Sequence, residues 1–432
     1  MSVGRLHTSI VLDEPVRVHC GSRDPVRGQV KIRYAPGDKN PSSGLFGPLK
    51  VFVFLHGRAK TKIWKSNGQT TSIYRGRVPL FSYQVLVYDD SFRAQPGDLA
   101  TFPFSLLFPE TANAVDADDF TDDPRYICHP DQPLPPSLQN SYRGFAHHYE
   151  AFVEYRVGVD AVMPRLQVDV IKPTKYEEPI VYYERPRRSQ PANPSPTNWR
   201  GNVSVRNELL LPEPDRPSGF KQKTKAFFGA GHFPTYAFDW VCLAPQNVHL
   251  GQPVCFEVQI KPRAHECTAP LVPEVRLKYF LVEITAHVQV RAHTSIFTCP
   301  GSEGNYTVCE MRGVIDSKEP FSKANDNTKV VNTEALGSRS SIGSFPSSFA
   351  TFNILIAYTT KISFAFELTD KIQHFDHEYL TTVHPPLDTA PPPPPAPTAG
   401  PSSHHTNTAN MDSYLPGYEA APPYEQISTS DK

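Results

Sequence analysis

The chain lacks any run of about 18 consecutive apolar residues, the length a helix needs to span a bilayer, so no segment reads as transmembrane. It also lacks an apolar stretch near its first residues, and with it the expectation of secretion. Its seven cysteines (Cys20, Cys128, Cys242, Cys255, Cys267, Cys299 and Cys309) form no Cys-x-x-Cys pair. An odd, scattered set argues for a reduced, cytosolic protein rather than a disulfide framework. Without a secretory signal, the sequons at Asn202 and Asn305 carry no weight. Excess charge of either sign is absent too. The 43 Lys and Arg residues nearly cancel 44 Asp and Glu, so no overall field points to nucleic acid. No P-loop, G-x-S-x-G or Cys/His nucleophile pattern occurs, which argues against an enzyme and leaves no cofactor to expect. Finally, no segment shows a sustained i, i+3, i+4 apolar stripe of helical length, which excludes a helix bundle.

What is present is proline, phenylalanine and tyrosine. The 45 prolines are about twice the usual share. Together with 26 Phe and 19 Tyr they suit many strands joined by turns. Period-2 alternation recurs throughout. In "YEAFVEYRVGVDAV", Ala151, Val153, Tyr155, Val157 and Val159 share one face, while Glu150, Glu154, Arg156 and Asp160 share the other. "PVCFEVQIK" repeats this, with Val254, Phe256, Val258 and Ile260 inward. "KVFVFLHG" and "FSYQVLVYD" are apolar at nearly every position and are expected to be central strands of a two-layer core. The fold class is all-β, built as β-sandwiches.

Two strands carry irregularities. In "EVRLKYFLVEITAHVQV" the apolar phase switches from odd to even positions, predicting a bulge or a change of sheet near residues 280–282. From Phe352 to Leu368 nearly every even position is apolar. At ~3.3 Å per residue that is ~56 Å, long for one strand, and Thr359-Thr360-Lys361 is the expected break.

Composition divides the chain into a sandwich over 1–170, a Pro- and Arg-rich connector over 171–225 with little regular structure, a second sandwich over 226–383, and a Pro-rich tail over 384–432. The stretch "SKEPFSKANDNTKVVNTEALGSRSSIG" is expected to be a mobile loop. The tail, made of Pro, Ser, Thr and His, is expected to be disordered.

The words "GRAKTKIW", "YRGRVPLFSYQVLVYD", "PGDLATFPFSLLFPE" and "LPPSLQNSYRGFAHHYEAFVEYRV" follow the order seen in arrestin N-terminal domains. "FPSSFATFNILIAYTTKISFAFEL" resembles the closing strand pair of arrestin C-terminal domains, particularly fungal ones. Over about residues 5–383 the chain therefore resembles the arrestin-like family, and within it the α-arrestin branch of fungal-type trafficking adaptors. No clathrin-type acidic-leucine box ends the chain, and no counterpart of the buried charged cluster of visual and β-arrestins is identified. An acidic insert, "VDADDFTDDPRYICHPDQ", separates the Phe-Pro-Phe strand from the Leu-Pro-Pro-Ser turn. The resemblance implies two arrestin-like β-sandwiches joined by a hinge, a flexible tail, and recruitment of a WW-domain ubiquitin ligase.

Within the tail, Leu415-Pro416-Gly417-Tyr418 fits the [L/P]-P-x-Y form that WW domains read. Pro422-Pro423-Tyr424 follows closely, with Ala421 where a stacking proline or leucine is wanted. Proline reduces the entropy lost in adopting the extended polyproline conformation, and the tyrosine fills a second pocket. Paired weak words raise effective concentration.

Other constellations are weaker. His374, Asp376 and Glu378 would share a strand face with His377 turned away, a poor metal set. "DADDFTDD" lacks the glycine and terminal glutamate of a calcium loop, so no metal is expected. Arg185, Arg187, Arg188, Lys221, Lys223 and Lys225 make the connector basic. It is either a solvated linker or a contact for acidic lipid headgroups or phosphorylated tails.

The expected function is that of a non-enzymatic adaptor. It would bind cytosolic tails of membrane transporters or receptors, recruit a ligase and ubiquitin, and associate with plasma membrane and endosomes only peripherally from the cytoplasm. The alternative is an arrestin-fold scaffold of a retromer-like sorting coat, without ligase recruitment.

Overall fold

The computed structural model describes residues 5–14, 18–36, 44–66, 68–112, 125–126, 131–144, 147–163, 174–184, 196–217, 233–250, 254–293, 298–313, 321, 328–332 and 346–386. Among them the chain is all-β, and its only helical segments are two 3-10 turns, Glu208–Leu210 and Glu213–Asp215.

The first half builds two sheets. A three-stranded antiparallel sheet is ordered β1 (Arg5–Leu12), β3 (Val26–Ala35), β6 (Leu99–Leu106). The larger sheet runs β2 (Val18–Cys20), β9 (Thr174–Tyr183), β8 (His147–Val162), β4 (Leu45–Ser66), β5 (Thr71–Ala94), with β7 (Leu138–Arg143) on the other stretch of β8's edge. Inward residues of both sheets belong to one apolar core, among them Leu6, Ile10, Val30 and Ile32 on the small sheet and Val51, Val53, Val157 and Val159 on the large one.

The second half repeats the plan. Four strands are ordered β10 (Thr197–Arg206), β11 (Thr235–Ala244), β13 (Cys255–Pro262), β16 (Thr328–Asn332). Facing them are β12 (Asn247–His249), β19 (Lys371–His384), β18 (Ile354–Leu368), β14 (Val275–His293), β15 (Thr298–Gly313), with β17 (Phe349–Ala350) paired to β18. Aromatic rings from the two layers interlock: Trp240 meets Phe364 edge-on at 5.0 Å and Phe238 meets Phe366 at 5.4 Å. Such pairs add to the burial of large apolar surface. In each half a short early strand pairs in parallel with the half's last strand, β2 with β9 and β12 with β19.

Alternation read from the sequence holds on β8 and β13. Ala151, Val153, Tyr155, Val157 and Val159 are buried, as are Val254, Phe256, Val258 and Ile260. Other expectations are corrected. "KVFVFLHG" is central, between β5 and β8, but "FSYQVLVYD" lies on β5 at the sheet edge, with Val85 and Leu86 42% and 46% exposed. An apolar run reports that a strand forms, not which side of a neighbour it takes. The phase change in β14 is a bulge at Lys278, where pairing with β18 skips from Leu277–Phe366 to Tyr279–Ala365, and the strand stays in its sheet.

There is no break at Thr359-Thr360-Lys361 either. Pairing of β18 with β19 runs without interruption from Tyr358–Thr381 to Leu368–Lys371. The polar residues there are bonded within the sheet: Thr360 and Thr381 share a 2.6 Å hydroxyl hydrogen bond, and Thr359 bonds His287 at 2.8 Å.

The segment 171–225, expected to hold little regular structure, carries β9, β10 and both 3-10 turns. Its prolines conceal the alternation of Ile180 with Tyr182, and of Trp199 with Val203 and Val205, all of them buried. Likewise β16 falls inside the segment expected to be a mobile loop and pairs with β13. The tail expected over 384–432 lies almost wholly outside the described residues.

The close approach of β4 to β8 depends on glycine. Gly57 sits opposite Tyr155, and a Cβ there would lie 2.6 Å from the Tyr155 ring and 3.0 Å from Phe81. Tyr155 cannot retreat, because its hydroxyl donates to the Pro135 carbonyl at 2.5 Å and its ring is walled by Phe108 and Tyr182. Gly57→Ala is therefore expected to cost about 1–3 kcal/mol through overpacking, read as a lowered urea midpoint. An unchanged midpoint would show that the Tyr155 cluster yields.

Candidate functional site

The residues singled out for recognition, Leu415, Pro416, Gly417, Tyr418, Pro422, Pro423 and Tyr424 in the tail and Arg185, Arg187, Arg188, Lys221, Lys223 and Lys225 in the connector, lie outside the described residues. So does most of the acidic insert, apart from Arg125, Tyr126, Asp131 and Gln132. On β19, His374, Asp376 and Glu378 are exposed along one face, while His377 packs on Trp199 at 4.2 Å between ring centroids. Among the described residues no group of three or more His, Cys, Asp or Glu side chains is placed to hold a metal. No helix among them is long and apolar enough to cross a membrane.

What the fold does assemble is a polar seam between the two halves. The far part of β4 turns Ala59 and Thr61 toward the end of β14 and the loop before β18. Thr61 Oγ1 donates to the Arg291 carbonyl at 2.7 Å. Asn353 Nδ2 reaches Thr61 Oγ1 at 3.4 Å and the Ala59 carbonyl at 3.5 Å. Tyr149 on β8 donates its hydroxyl to the Val288 carbonyl at 3.4 Å. Gly76 on β5 keeps the seam tight, since a Cβ there would lie 3.2 Å from Ala292 Cα and 2.6 Å from Thr61 Oγ1. Further out, Ser347 donates to Glu184 Oε2 at 2.9 Å.

Arg291 is the centre of this seam and only 4% exposed. Its Nε donates to the Phe352 carbonyl, and its guanidinium lies 4.3 Å from the centre of the Tyr126 ring. A buried cation is tolerated only when its donors and charge are met, and a desolvated cation over a tyrosine face is one way to meet them. Thr351 secures the loop beneath, accepting from Ile354 N at 3.0 Å. Hydrogen bonds of fixed geometry set how the two halves meet, where an apolar contact alone would permit sliding.

On the opposite, outward face of β4 lies a second polar group. Glu154 accepts from Arg58 Nε at 2.8 Å, from Lys60, and from Arg156 at 3.1 Å, and Arg156 also reaches Glu177 at 3.6 Å. Burial pushes the Glu154 pKa up, but hydrogen bonds from Lys60 and Arg58 and their positive charges outweigh it and bring it down to about 2. Nearby, His148 stacks on Trp64 at 3.7 Å. Burial first, then Arg143, hold its pKa below the ordinary histidine value.

Neither group was among the expected site residues, though signals existed. Thr61 occupies an inward position between Ala59 and Ile63, and Arg291 follows directly on the apolar run ending at Val290. No family model matches the chain, and no curated protein matches it.

Two outcomes follow. Thr61→Val keeps the shape but strands the Arg291 carbonyl, and should cost about 1–3 kcal/mol. Arg291→Met removes charge and donors together and should cost at least as much, in denaturant titrations of the whole chain. Separately, a depressed carboxylate stabilises above the ordinary range near 4.5, and that contribution fades as pH falls toward about 2. Glu154→Gln should flatten the thermal midpoint across that window and leave its pH dependence elsewhere unchanged.

Proposed function

We propose that this protein is a non-enzymatic trafficking adaptor of the α-arrestin type. In this reading the β body binds the cytosolic part of a membrane transporter or receptor. The Pro-Tyr words then recruit a WW-domain, HECT-type ubiquitin ligase, which ubiquitinates the cargo and promotes its endocytosis. The protein works from the cytoplasm, at the plasma membrane and endosomes. The observation that carries the reading is the pair of words Leu415-Pro416-Gly417-Tyr418 and Pro422-Pro423-Tyr424, close together in a Pro-rich terminal stretch. Support on the body side comes from the order of arrestin-like motifs and from an all-β architecture of facing sheets. The polar seam suits an adaptor as well, because two binding surfaces are useful only if their relative orientation is set.

The two words predict an order of effects. Tyr418→Ala empties the tyrosine pocket of the better word and should weaken WW binding strongly. Tyr424→Ala should weaken it less, since Ala421 already offers a poor first position. The double variant should lose WW binding and ligase-dependent ubiquitination with no change in thermal stability. Retained binding in the double variant would show that the two words do not carry it, and no WW binding by the unsubstituted chain would turn the assignment to a sorting-coat scaffold that works without a ligase.

A further inference from the structure

The outward face of β4, β5, β7 and the start of β8 carries more positive charge than its own carboxylates meet. In a chain of formal net charge −1, this is a matter of arrangement, not composition. Strand register places Arg77 directly opposite Lys60 and Arg75 directly opposite Lys62. Like charges facing each other across a strand pair cost stability, and here two successive rows do it. Lys60 is met by Glu154, and Lys62 lies 4.2 Å over the Trp64 ring. Arg75 and Arg77 are exposed and make no ion pair among the described residues. One row further, Trp64 stacks on His148, which is itself paired with Arg143 of β7. The face cannot turn inward, because the other side of the same stretch, at Ala59 and Thr61, is held by the seam to Asn353 and Arg291.

We propose that this face rests on an anionic lipid bilayer. It names the membrane side of the adaptor reading, and rests on that reading only in taking a bilayer as the source of negative charge. The cations lie on β5, on β4 and, across β8, on β7, with neighbouring strands ~4.8 Å apart and alternate residues ~7 Å apart along each, a two-dimensional array. That matches a layer of headgroup phosphates, whereas a single acidic peptide would follow one strand or one edge. The partly buried Trp64 beside Lys62 suits a headgroup level, where an amphipathic ring and a cation work together. Around the turn after β4, Ser66, Gly68, Gln69 and Thr70 are polar, so contact is adsorption rather than insertion, and salt should weaken it.

The test is vesicle flotation of the full chain, using phosphatidylcholine vesicles with and without phosphatidylserine. Binding should require phosphatidylserine and fall with salt. It should drop roughly thirty-fold in Arg75→Gln with Arg77→Gln, each surface cation contributing about fivefold. Lys261→Gln with Lys371→Gln, which removes two exposed cations from the second half, should leave binding nearly intact. Equal losses in the two pairs, or no loss in the arginine pair, would overturn the proposal. Vesicle binding kept while binding to a poly-glutamate peptide is lost would assign the face to a peptide and also end it. Relieving the opposed charges should leave the thermal midpoint of the arginine variant equal or higher, and a lowered midpoint would contradict uncompensated repulsion. WW-domain binding should survive in the arginine variant, and vesicle binding should survive Tyr418→Ala with Tyr424→Ala. The two readings therefore fail separately.

Discussion

Everything in this molecule leans on the double pairing of β4. Along nearly its whole length it is hydrogen-bonded to β5 on one side and β8 on the other. A strand of 22 residues is longer than the three-stranded sheet beneath it can cover. Its inward side is therefore shared: Leu49, Val51, Val53 and Leu55 belong to the apolar core, while Ala59 and Thr61 are hydrogen-bonded by the second half. The strand that completes one sandwich is also the strand that joins it to the other.

That sharing explains why the junction is polar. The extension of β4 brings its own Ala59 carbonyl up against carbonyls of β14 and of the loop before β18, and buried carbonyls must find donors. Thr61, Asn353, Tyr149 and Arg291 supply them, with Gly76 admitting the close approach. The resulting contact is specific in geometry because its hydrogen bonds are directional, and at its centre the Arg291 guanidinium lies over the Tyr126 ring while its Nε donates to the Phe352 carbonyl.

The same extension gives the opposite face of the sheet its character. Side chains alternate along β4, so fixing Ala59 and Thr61 inward fixes Arg58, Lys60, Lys62 and Trp64 outward. The hairpin to β5 then lays Arg77 and Arg75 beside Lys60 and Lys62. Local stability would favour a carboxylate in each row, and only Glu154 and Glu150 on β8 approach that role. Places where a sheet accepts repulsion without local gain are where function is sought.

The amino-acid sequence by itself determined the all-β class and the inward sets of β8 and β13, because period-2 burial is a property of each strand alone. It also holds the two Pro-Tyr words on which the proposed ligase recruitment rests. It signalled the irregularity of β14, displaced by two to four residues from the bulge at Lys278, since a phase change marks a bulge only approximately. Which strand is central and which lies at the edge, as for β5, depends on who pairs with whom, and so do the strands hidden among the prolines of 171–225. The Thr359-Thr360-Lys361 stretch reads as a break because the run is long for one strand; the hydroxyls there find their partners, Thr381 and His287, on other strands. The seam and the basic face were decided only by tertiary structure, for one reason: each is made of residues far apart in the chain, brought together by register.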